Sequence, residues 1–108
     1  MGVSTLFVLK AEKHRTAFSI SWFLYTGTSF TAASYNNSWN YINMGGEASD
    51  CAGTTVLCAI QAQSDSPGGK PILFPGFGTK VIAKEGTNTS TSVTSATTTI
   101  TVQYMLLD

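Results

Sequence analysis

The chain has 108 residues, of which 11% are Asp, Glu, Lys or Arg, and its formal net charge is zero. An ordinary soluble domain carries about 25% charged residues, so solubility here must come from hydroxyls and amides: Ser and Thr make up roughly a quarter of the chain. Such a balance excludes a basic nucleic-acid-binding face, suits anionic membrane poorly and leaves no run near the roughly 18 apolar residues of a spanning helix.

In chain order, "MGVSTLFVLKAEKHR" opens with the apolar stretch Val3 to Leu9 and then meets Lys10, Glu12, Lys13, His14 and Arg15. A signal peptide places its positive charge before a longer apolar run. Two readings follow. Residues 1–15 are either the remnant of a signal or mature protein, whose apolar segment with Val3, Leu6, Phe7 and Leu9 pairs within its own sheet or docks as a donor strand in a neighbour, with Lys10 to Arg15 as its connector. Residues 16–108 form the main domain.

"AFSISWFLYT" has the period of a strand, with Phe18, Ile20, Trp22 and Leu24 on one face and Ser19, Ser21, Phe23 and Tyr25 on the other. The Gly-, Asn- and Ser-rich segment that follows is too polar for a long helix, and a short strand is expected around Trp39 to Ile42. "TTVLCAIQAQ" aligns Val56, Cys58, Ile60 and Ala62. "SDSPGGKP" is a turn. Pro71 and Pro75 bracket "ILF", which confines it to an edge or a crossing segment. "TKVIAK" is expected as a short strand. The last run, "TSVTSATTTITVQYMLL", is rich in β-branched residues and puts Ile100, Val102, Tyr104 and Leu106 on one face. No helical period is sustained. The expected fold is all-β: a single small sandwich or jelly-roll-like domain of about six or seven strands.

Both cysteines, Cys51 and Cys58, lie in "CAGTTVLCAIQAQ". Zinc would need an unusual set of both thiols, His14 and a carboxylate, and a redox pair would be spaced Cys-x-x-Cys. Gly53 can turn the chain back, so a disulfide suits the spacing, with two buried thiols as the alternative. A loop this short stabilises by roughly 2–2.5 kcal/mol, and a bridge implies an oxidising compartment.

His14 has no nearby Ser or Asp motif. Glu47, Asp50 and Asp65 lack the spacing of a calcium loop, and "GGKPILFPGFG" lacks the phosphate-loop pattern. No nucleophile, base and orienting group assemble, so the expectation is no enzyme, no cofactor and no metal. The aromatics Trp22, Phe23, Tyr25, Tyr35, Trp39 and Tyr41 suit core and interface first, with Trp22, Trp39 and Tyr41 as candidate platforms for sugar stacking. Asn36 and Asn88 head N-glycosylation sequons, and Thr87 to Thr99 is a candidate for O-linked sugar.

The order "WFLYTGTSFTAASYNNSWNYI" then "CAGTTVLCAIQA", preceded by "KAEKHR", resembles small exported proteins of Bacteroidota that form an uncharacterised domain family. The resemblance covers about Lys10 to Ala62. It implies export and the Cys51–Cys58 bridge, favours a truncated signal at the N-terminus, and implies no activity. The functional expectation is an extracellular or cell-surface structural subunit whose partner is itself, assembling into a filament by strand addition. The alternative is a carbohydrate-binding module. Neither nucleic acid nor a membrane span is expected.

Overall fold

Alternation in "ISWFLY" makes strand β1 (Ile20–Tyr25), whose buried side carries Ser21, Phe23 and Tyr25. The computed structural model describes residues 20–48, 50–96 and 98–106. Four further strands are β2 (Tyr41–Gly45), β3 (Val56–Gln63), β4 (Ser90–Ser95) and β5 (Thr98–Met105). All pair antiparallel in one sheet of order β2-β1-β3-β5-β4. The all-β expectation holds. Its sandwich detail is corrected: the described strands number five, and the layer over the core side is two short helices, α1 (Ala32–Tyr35) and α2 (Phe77–Ala83).

Helix α2 occupies the segment expected as the strand "TKVIAK". Gly76 adopts a left-handed φ of 82° after Pro75 and turns the chain into the helix. Phe77 and Val81, four residues apart, then fall on one buried side. Gly78 permits close contact with α1, since a Cβ there would lie 2.2 Å from the carbonyl oxygen of Ala32. The Gly78 N–H donates to Asn36 Oδ1 at 2.7 Å. Helix α1 is capped by the Thr31 hydroxyl, which accepts from the Ser34 N–H at 3.3 Å.

A 3₁₀ turn, Ser38–Asn40, precedes β2, so that strand starts at Tyr41 instead of Trp39. In β3 the register shifts between Leu57 and Ala59. The extra residue changes the phase: of the expected row Val56, Cys58, Ile60, Ala62, only Ile60 and Ala62 join the main core cluster, with Leu57, while Val56 and Cys58 are buried outside it. Pro71 forms an isolated bridge with Ser64, as suits a crossing segment. Ile100, Val102 and Tyr104 of β5 face the core, and Leu106, beyond the strand end, is exposed.

Phe23, Tyr25, Tyr35, Tyr41, Phe74, Phe77 and Tyr104 build the aromatic part of the core. Tyr25 meets Tyr35 and Tyr41 with ring centroids 5.1 and 5.3 Å apart. Buried hydroxyls need partners, and these have them. Tyr41 donates to the Tyr35 carbonyl at 2.7 Å and Tyr104 to the Val81 carbonyl at 2.8 Å.

Candidate functional site

Cys51 and Cys58 form the disulfide, with Cα atoms 6.1 Å apart. The bridged loop is pinned on two sides. Ala52 accepts from the Leu106 N–H at 3.1 Å and Thr55 donates to the Met105 carbonyl at 3.0 Å. Thr54 accepts from the Gly86 N–H just past α2. Gly53, at φ 133°, lets the loop lie on β5, because a Cβ would meet the Leu106 nitrogen at 2.3 Å. The bridge thus ties the loop to β3, and the loop's backbone bonds tie it to the end of β5.

The sheet's two edges differ. On the β2 side, the Thr26 N–H donates to the Asn40 carbonyl at 2.7 Å, so by antiparallel alternation the backbone groups of Tyr41 and Asn43 face outward. At the first the carbonyl is taken, and at the second the side chain is tied to the neighbouring loop. Lys70 Nζ donates to the Tyr41 carbonyl at 2.9 Å, and Asn43 Nδ2 donates to the Gly69 carbonyl at 3.0 Å. Asp65 holds this loop closed by accepting from the Lys70 N–H at 2.9 Å. The Lys70 ammonium also sits 5.3 Å from the ring centroid of Trp39, a cation–π distance.

On the β4 side, Thr89 accepts from the Tyr104 N–H at 3.0 Å. The same alternation turns Thr91 and Val93 toward β5 and points the amides and carbonyls of Ser90, Ser92 and Thr94 outward. No described residue pairs with this edge. The strand carries no charge, and none occurs from Gly86 to Leu107. Beside it lies a groove of about 430 Å³ between β4 and α2, lined by Lys80, Ala83, Lys84, Ser92, Val93 and Thr94.

Trp39 is 76% exposed on its 3₁₀ turn, whose cap is the Asn37 carboxamide accepting from the Trp39 N–H at 3.0 Å. Trp22 is half-buried on the outer sheet face. Tyr41 is corrected as a stacking platform: its ring is 0% exposed and its hydroxyl is spent on Tyr35. Asn36 is exposed and engages Gly78 only through Oδ1. Asn88 is half-buried, and its Nδ2 donates to the Lys84 carbonyl at 3.2 Å. Glu47 and Asp50 are exposed. Among the described residues, no helix is long and apolar enough to cross a membrane and no group of three His, Cys, Asp or Glu side chains is placed to hold a metal ion. Val3, Leu6, Phe7, Leu9 and His14 lie outside the described residues.

Three features of the site escape sequence reasoning: Lys70 as the cover of one edge, and Lys80 and Lys84 beside the other. Each depends on where a loop or helix lands across the sheet. No protein-family model, curated protein or solved structure matches this chain.

Proposed function

We propose that the protein is an extracellular structural subunit that assembles with copies of itself by β-strand addition. The observation that carries this reading is the contrast between the edges. One is covered by Lys70 and its loop, whereas β4 presents three outward residues with neither charge nor proline. Monomers ordinarily blunt such an edge with charge, and an open one templates pairing with another chain. The disulfide supports an oxidising compartment, and the resemblance to exported proteins points the same way. Sedimentation of the full chain over a wide concentration range tests the reading. Species at multiples of 11.4 kDa are expected; a single-chain mass at every concentration rejects it.

The exposure of Trp39 favours a second reading, a carbohydrate-binding module. The exposed indole, with the Lys70 ammonium over one face of the ring, offers its other face as a platform for a sugar ring. Glycan-induced change in tryptophan fluorescence, abolished by Trp39→Ala, is its expected signature.

A further inference from the structure

We infer that the groove between β4 and α2 is the receptor for the apolar segment Gly2 to Leu9 of a second copy of this chain. The inference rests on the self-assembly reading and names both halves of the joint. Ser90, Ser92 and Thr94 supply the ladder of outward backbone groups. Val93 and Ala83, with the aliphatic stems of Lys80 and Lys84, line the side on which an added strand would place alternate side chains. Val3, Phe7 and Leu9 share one parity of the donor, so a strand in this position directs all three into the groove. The donor has no charge between Gly2 and Leu9, as β4 has none, and Lys80 and Lys84, which are exposed, can keep their ammonium groups in water while their stems line the groove.

Topology favours a neighbour over the chain's own segment. Ile20 pairs with Gln63 at the sheet end where β4 finishes, opposite Thr98. A direct return from Leu9 to Ile20 within one chain would lay the segment parallel to β4. Every other pairing here is antiparallel, and the parallel ladder is the weaker one. A second copy is free to add antiparallel. Lys10 to Ser19 spans at most about 35 Å when extended, enough to link two adjacent sheets. Because donor and receptor are different surfaces, the joint is head-to-tail and propagates.

The test uses two full-length variants with opposite defects. Ser92→Pro removes an outward amide without touching a bond to β5, and Ser92→Lys repeats the block with charge where proline perturbs folding. Phe7→Asp spoils the donor and leaves the groove intact. Circular dichroism establishes that each variant folds, and light scattering gives mass. The wild type is expected as a ladder of species, each variant alone as a single chain, and an equal mixture as dimers that grow no further. If wild type assembles and either variant assembles equally well, this joint is wrong while self-assembly stands. A wild type that stays monomeric overturns both, the segment then lying on its own sheet or on none.

Discussion

All four tyrosines are buried, and each hydroxyl has a partner. Burial disfavours the phenolate, pushing Tyr104 up to about 12 and raising Tyr35 and Tyr41 well above the ordinary value of 10.0. Glu85, which accepts from the Tyr35 hydroxyl at 2.8 Å, adds to the shift at Tyr35. In the folded state these groups hold their protons longer than in the unfolded chain. Their contribution to stability is therefore complete below about pH 10 and is lost as pH rises through the folded values. Denaturation midpoints should fall between about pH 10 and 12, together with the appearance of tyrosinate absorbance. Phenols that ionise at the ordinary value in the intact fold would contradict this. Tyr35 carries a second load, accepting from the buried Leu57 N–H at 3.3 Å. Tyr35→Phe orphans that donor and should cost about 1–3 kcal/mol in chemical denaturation. Gly78→Ala should also destabilise, by about 1–3 kcal/mol, since its methyl would collide with backbone of α1. A neutral result there would mean that α1 and α2 are not packed as described.

Among the elements, β1, β3 and β5 were legible because each repeats apolar residues with a period of two over six or eight residues. Which face of β1 turns inward was not, because both sides hold large apolar residues and only the helices decide. The bulge in β3 was equally hidden: nothing in "VLCAIQAQ" marks an inserted residue, and the phase follows from pairing with β5. Helix α2 was missed for a different reason. "TKVIAK" ends in residues that fit a strand, while the diagnostic pair, Phe77 and Val81, spans the boundary of that segment. The bridge was legible from spacing and the turn at Gly53, and it bears a measurable load. Replacing Cys51 and Cys58 together by Ala should lower stability by about 2–2.5 kcal/mol. Loss of the bridge should also speed hydrogen exchange at Leu106 and Thr55, whose N–H groups bond across the pinned loop and β5. Unchanged exchange there would show that the loop holds β5 without its disulfide.

At the scale of the whole molecule, the open sheet of the five described strands has two edges, and the described residues treat them unequally. Sequence composition exposed the uncharged β4 run, but the cover over β2 comes from Lys70, far along the chain from that strand, so only the fold brings them together. If assembly proceeds through β4, the cover over β2 has its own role, which is to prevent a second, competing ladder. Lys70 is suited to this, because its ammonium holds the outward Tyr41 carbonyl and rests over Trp39. Inward- or edge-placed lysine resists pairing because a strand arriving there must strip its charge of water. The expectation is tested with β4 closed, in a Ser92→Pro chain. Adding Lys70→Ala should free the Tyr41 carbonyl and restore association through β2, seen as a rise in scattering mass with concentration. Lys70→Arg, which keeps the charge, should remain monomeric. Should the Lys70→Ala chain also stay monomeric, the cover over β2 owes nothing to that ammonium, and Asn43 with its bond to Gly69 becomes the guard of that edge.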